Sequence, residues 1–438
     1  MALVLLELNE INFDIVKKYS ESNLDLPGFR KLFSKGVSNT TAELKYHELE
    51  PWIQWPSVHT GLTFAEHGIF RLGDAVKSEA PQIFEALESC GLKVGAISPM
   101  NATNKLSDPC YFIPDPWTET DSDRHSFSKM LTAALRQSVN DNAKSRLTFK
   151  TLLFLVLCFL RFVPIKRYAR LGTYALSALR KPWRKALFLD LFLFEVHLSL
   201  LRSKKPDFST LFLNAGAHIQ HHYFLNCVHV ESEGRRAINP SWYIGSAEDP
   251  VAEMLEVYDE MIERSLNFSG ELIIATGLSQ VPYLRPEIYY RLDDHASFLR
   301  KLGIVFESVI PRMTRDFLIC FRDIDAAIAA VDILSKAVSD KGVRFFESIE
   351  LRDRELFVEL TYSEEINEHT VLCCEDLRLA MKDEVNFVAI KNGGHSTNGY
   401  VYVSEGLRQI APENNAHVAE IFSTITRYFG VSNVSNAS

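Results

Sequence analysis

The sequence predicts an α/β fold built on a mostly parallel sheet flanked by helices. Short apolar runs at 4–8, 93–98, 207–214 and 270–276 recur between stretches of helical periodicity. They are continuous rather than alternating, as expected of strands covered on both faces. The last two end in small or polar residues, Asn214 and Thr276, where an open parallel sheet places its ligand site.

Each element follows from its own pattern. The run 4–8 opens the chain as a buried strand; it is too short for a secretion signal and has no basic residues before it, so a cytoplasmic chain is expected. Residues 13–19 and 26–35 read as short helices, and 81–90 as a helix leading into the strand 93–98. Residues 250–266 form an amphipathic helix ahead of the strand 270–276. From Arg315 the pattern changes to a strand, a helix over 324–340 and strands at 343–349 and 355–360, a βαββ unit inserted as a small α+β cap. The main sheet is expected to resume at 385–390. The resulting division is a first core part, 1–143, a basic apolar helical insertion, 144–205, a second core part, 206–310, the cap, 311–384, and a final core part, 385–438.

Composition narrows the class. The 438 residues are 47% hydrophobic, enough for a large core. Seven scattered cysteines favour free thiols over a disulfide framework, and none has metal-binding CxxC spacing. The net charge of −9 is unevenly spread: 144–205 holds 14 Lys/Arg against Asp190 and Glu195. Its apolar run is bracketed by Lys150 and Arg161 and ended by Pro164, too short to span a bilayer. Such a segment suits a peripheral contact, through 147–185, with an anionic membrane at its inner face, or a hairpin packed on its own domain or on a second subunit. Neither a P-loop, a dinucleotide fingerprint, a Gly-x-Ser-x-Gly elbow nor a nucleic-acid motif occurs, and nucleic acid is not an expected partner.

Four segments carry the chemistry. The first is Glu50-Pro-Trp-Ile-Gln-Trp-Pro-Ser-Val-His-Thr-Gly61 with the His-Gly-Ile69 exit. The second is Asn9-Glu10 after the first strand. The third is Asn214-Ala-Gly-Ala-His218-Ile-Gln-His221-His222, with three histidines within five residues. The fourth is Lys391-Asn-Gly-Gly-His395-Ser396. Together they resemble the alkaline phosphatase superfamily, most closely its type I phosphodiesterase/nucleotide pyrophosphatase branch. The resemblance covers about 2–110, 205–282 and 385–430. It implies that fold, a phosphate-containing substrate, and metal ligands at His221 and His395.

Elsewhere the family pattern is replaced. Asn9 stands where the first Asp ligand is expected, Ala217 at the second Asp, and Thr276-Gly277-Leu278 where Ser-Asp-His is expected; counting back from Thr60 places Pro51 at the nucleophile. The resemblance therefore implies one divalent ion, zinc or manganese, or a site that works with none. The remaining polar residues supply candidates. Glu10, Glu50, His59 and His218 are the catalytic candidates, as general bases or, for histidine, a nucleophile. Asn9, Trp52, Gln54, Asn214, Gln280 and Ser396 are the substrate-binding candidates. His59 and His67 have a plain structural reading as hydrogen-bonded imidazoles, and the tryptophans one as core anchors.

Two functions fit. One is a hydrolase or transferase with a rebuilt site, acting on a nucleotide-sugar, phosphosugar or lipid-linked glycan intermediate, as in surface polysaccharide assembly. The other is an inactive relative that binds a ligand or serves as a scaffold. They differ in whether the histidines and glutamates converge on one place.

Overall fold

The computed structural model describes residues 2–22, 24–139, 149–230, 239–312 and 315–431. The start of the basic block, 144–148, lies outside the described residues. The chain divides into two compact units, 1–282 with 393–438, and 283–392.

The larger unit is a mixed α/β structure around an eight-stranded sheet. Its strands include β1 (Leu3–Leu8), β2 (Ser38–Thr41), β3 (Val94–Ile97), β4 (Tyr111–Ile113), β5 (Phe208–Leu213) and β6 (Glu271–Ala275). β1 lies at the centre, parallel to β5 on one side and β6 on the other, and β3 runs parallel to both β5 and β4. Beyond β6 the strand Asn398–Val403 runs antiparallel to both β6 and β2. This strand, and not 385–390, returns the chain to the main sheet. Residues 385–390 belong instead to the long strand Val385–Ser396, paired with Ser279–Leu292. The apolar pattern of 385–390 suits either pairing, so sequence alone could not separate them.

Alternation along β1 separates two cores. Val4, Leu6 and Leu8 join one hydrophobic cluster, Leu3 and Leu5 another. The sheet is thus covered on both faces, which is why its strands read as unbroken apolar runs. On the Leu3/Leu5 face lies the helix Pro51–Thr60, through Trp55 and Val58. On the other lie the helices Phe13–Glu21, Pro27–Ser34, Trp183–Lys204, Ala215–Tyr223 and Pro250–Leu266.

The basic block folds as the helices Phe149–Phe162, Tyr168–Ser177 and Trp183–Lys204. It is part of the core layer rather than an appendage, since Cys158, Leu171, Trp183, Leu187 and Leu191 are buried in the same cluster as β1. Acids of the helix Pro250–Leu266 and the turn before it neutralise part of its charge: Arg167 pairs with Glu260, Arg184 with Glu253 (2.5 Å) and Lys181 with Glu248 (2.5 Å). Arg264 makes a two-point contact with the fully buried Glu195 at 2.5 and 2.9 Å, the fork geometry that makes such pairs strong.

The smaller unit has its own core, with Phe298, Phe317, Phe345, Phe346, Leu356 and Val358 buried. A four-stranded antiparallel sheet orders Ser348–Arg352, Glu355–Glu359, Asp316–Cys320 and Ser308–Pro311. The unit extends beyond 311–384 at both ends: Ser308–Pro311 pairs with Asp316–Cys320 and Leu292, Phe298 and Leu302 fill its core on one side, and Val385 packs against that core on the other. Its helix stops at Lys336, and Phe345 and Phe346 turn inward, so the strand there begins only at Ser348.

Candidate metal centre

β1 delivers the site. Past Leu8 the chain makes an abrupt turn in which Glu10 takes a left-handed backbone conformation, φ 62°, sterically costly for a residue with a Cβ. It is held there from both sides. Asn9 N–H donates to Leu213 O (3.0 Å), Glu10 N–H to Thr276 O (3.0 Å), and Gln280 N–H to Glu10 O (3.2 Å). Gln220 adds a side-chain bond, Nε2 to Glu10 O at 2.8 Å.

The Glu10 carboxylate is 1% exposed and is met at both oxygens. Asn9 Nδ2 donates to Oε1 at 3.0 Å and Gln280 Nε2 to Oε2 at 2.5 Å. Two imidazoles also approach Oε2, His221 Nε2 at 3.1 Å and His395 Nε2 at 3.2 Å, and the two Nε2 atoms are 3.3 Å apart. Burial alone would raise this carboxyl, but His395 and His221 outweigh it and hold the group far below the usual carboxylate range.

Each histidine is brought in by local sequence. His221 rides on the helix Ala215–Tyr223, which begins where β5 ends. The buried Asp190 anchors that helix end, accepting from Ala215 N–H (2.8 Å), Asn214 N–H (3.4 Å) and Tyr258 Oη (2.6 Å). Burial pushes the Asp190 carboxyl up to about 6, with Tyr258 opposing. Gly216 permits the close approach, since a Cβ there would lie 2.0 Å from Ile11 Cδ1. His395 follows Gly393, where a Cβ would lie 2.0 Å from Gln280 Oε1. On its far side His395 Nδ1 faces Glu50 Oε2 at 3.5 Å. Glu50 is the N-cap of the helix Pro51–Thr60, where a helix dipole favours an anion.

The donor set fits one cation. An ion about 2.1 Å from each of three donors leaves them roughly 3.0–3.4 Å apart in octahedral or tetrahedral arrangement. Glu10, His221 and His395 show 3.1, 3.2 and 3.3 Å. They are the one His/Cys/Asp/Glu group with such spacing among the described residues, and three protein ligands leave a position for substrate.

An indole occupies the space beside Asn9 and Gly277. Trp55 Nε1–H donates to Asn9 Oδ1 at 2.7 Å, and a Cβ on Gly277 would touch the same indole at 3.1–3.4 Å. The fully buried Trp55 ring thus adjoins both Asn9 and Gly277.

The other sequence candidates divide. Gln280 is in the site, fully buried, with Nε2 on Glu10 and Ala217 O. Asn9 is not free to bind substrate: its amide is committed to Trp55, Glu10 and Asn214 (2.8 Å). Asn214 is the acceptor of that bond and caps the His221 helix. His59 is placed inside the core. It lies on the Leu3/Leu5 face of the sheet, 1% exposed, against the fully buried Glu7 at 3.0 Å, which also accepts from Thr210 (2.5 Å).

Gln54 is also fully buried, donating to Glu48 O (3.0 Å), and Trp52 donates to Phe70 O (3.2 Å). Ser396 accepts from Asn398 N–H in the turn between strands. The exposed His218 packs edge-on to His222, one turn away, and His67 bonds Ser57 and the Ile69 N–H. The sequence offers no sign of Gln220, and for Trp55 it allows either stacking on a sugar or base or a core anchor; their roles arise from contacts 210 and 46 residues apart in the chain.

No family model and no curated protein matches the chain. Among solved structures it is similar to the phosphonoacetate hydrolase of Sinorhizobium meliloti 1021, at 13% identity and TM-score 0.42, over 97% of this chain and 95% of that one. It is similar to human ectonucleotide pyrophosphatase/phosphodiesterase 5 at 9% identity and TM-score 0.41, over 100% and 97%. For the alkaline phosphatase of the Antarctic bacterium TAB5 the values are 8% and 0.38, over 99% of each chain.

Proposed function

We propose that this chain is a phosphoester hydrolase or transferase with a rebuilt site that holds one divalent ion, zinc or manganese. The observation that carries this reading is the convergence of Glu10, His221 and His395 beyond the carboxyl ends of parallel strands. When bound, such an ion polarises a phosphoryl oxygen and lowers the pKa of a water. The chain's own residues supply the rest. Gln280 and Asn9 hold the Glu10 carboxylate in one orientation, and Glu50 faces the outer nitrogen of His395, fixing its ring. Glu50 is 28% exposed against 1% for Glu10. It is therefore the carboxylate placed to take a proton from water or from a substrate hydroxyl.

The substrate class we infer is a phosphorylated small molecule: a nucleotide-sugar, a phosphosugar or a lipid-linked glycan intermediate, as in surface polysaccharide assembly in the cytoplasm. One observation favours a ligand-binding role without turnover. Pro51 occupies the position of the family nucleophile and opens its helix, so no hydroxyl stands there.

Elemental analysis of protein purified without chelators tests the reading. About one equivalent of zinc or manganese is expected, absent from His221→Ala and from His395→Ala. Metal that survives both substitutions, or none in the parent chain, would remove the proposed centre. A metal-replete chain inert towards phosphomonoesters and phosphodiesters would select the binding role.

A further inference from the structure

The helix Phe149–Phe162 is apolar around nearly its whole circumference, yet only half of it is covered. Phe154, Leu155, Cys158, Phe159 and Phe162 pack into the core shared with β1. Leu152, Leu153, Val156, Leu157 and Leu160 fall on the opposite face at helical spacing and are 51, 50, 46, 56 and 55% exposed. Five aliphatic side chains in one solvent-facing stripe are not the scattered exposure of an ordinary surface. Beyond the helix end Ile165 is 82% exposed, and the next helix leads to Leu176 and Leu179 at 75 and 89%.

Along the chain that carries this stripe the charge has one sign. Arg161 sits at its edge, Lys166 follows Ile165, and Arg180 follows Leu179; all three are exposed. No carboxylate occurs between Leu147 and Leu189 in the sequence. Arg167, Lys181 and Arg184 are already paired within the larger unit, whereas Arg161, Lys166 and Arg180 have no ion pair among the described residues.

We infer that the outer face of the helix Phe149–Phe162 docks in the plane of an anionic lipid bilayer, its leucines entering the acyl boundary and Arg161 and Lys166 meeting the headgroups. The stripe is a ridge rather than a groove, the shape that enters a headgroup layer. The basic rim complements a negative surface. Among the described residues no helix is long and apolar enough to cross a membrane, so the contact is peripheral.

Flotation of the full chain with vesicles of phosphatidylcholine alone, and with one third phosphatidylglycerol, tests this. Binding is expected only to the anionic vesicles. It should fall on the order of tenfold or more in Leu153→Ser/Leu157→Ser and in Arg161→Glu/Lys166→Glu, with thermal unfolding unchanged because all four side chains are exposed. Equal recovery with neutral and anionic vesicles, or no recovery of the parent chain, would overturn the inference. So would a dimer in sedimentation velocity that the leucine variant dissolves, since the stripe would then be covered by a second copy.

Discussion

Glu10 combines a left-handed backbone, a buried carboxylate and two imidazole neighbours, and every residue around it serves to keep that combination in place. Glu10→Gln preserves the shape and removes the charge, but its amide keeps a single acceptor oxygen, so one of the two donors, Asn9 Nδ2 or Gln280 Nε2, loses its partner. Metal affinity is expected to fall by about 100-fold or more, with a stability cost of about 1–3 kcal/mol for the unpaired donor, as read by metal titration and denaturation. Gly216→Ala should act through packing instead. Its Cβ would overlap Ile11 Cδ1 at 2.0 Å, at a cost of about 1–3 kcal/mol in denaturant unfolding.

At this scale the sequence was legible where chemistry and position coincide. His221, His395 and Glu10 stand at strand ends or beside glycines. Asn9 and His59 were not legible, because their hydrogen bonds reach Trp55 and Glu7, and nothing local marks a polar side chain as already satisfied.

The helix Ala215–Tyr223 carries His221 with little support of its own: it is nine residues long, and its first N–H groups depend on Asp190 and Tyr258. Asp190→Ala removes that acceptor and should cost about 1–3 kcal/mol. Because the helix end loosens, it should also weaken metal binding, whereas Asp190→Asn, which keeps an acceptor, should retain most of both. Denaturation paired with metal titration distinguishes the two. Elements with a single strong periodicity, such as β1, β5, β6 and the helix Pro250–Leu266, could be read directly from the sequence. The helix Phe149–Phe162 could not be assigned an environment, since a helix apolar all round has no face that says which side is covered. Only the contacts of Phe154, Cys158 and Phe162 decide it.

Across the molecule, buried histidines set the response to acid. Burial lowers His67 to about 4, His197 to about 3 and His295 to about 4. A histidine with a depressed folded pKa contributes stability that is present above 6.5 and lost as pH falls to its folded value. Denaturant unfolding should therefore show stability declining from pH 6.5 towards 4. In His197→Gln the slope should be shallower in the larger unit, while His295, in the smaller one, keeps its own share. An unchanged slope would show that His197 takes up no proton on unfolding.

The Trp55 indole, lodged between Asn9 and Gly277, also constrains how this chain can change over generations. Aspartate at position 9 would put a carboxylate against the Trp55 N–H, with an aromatic ring where a second ion would need space. A ligand side chain at 277 would strain a backbone at φ 71° and press its Cβ to 3.1–3.4 Å from the same ring. Neither substitution adds a ligand without also moving Trp55, so gaining a second ion site there would take coordinated changes at 9, 55 and 277.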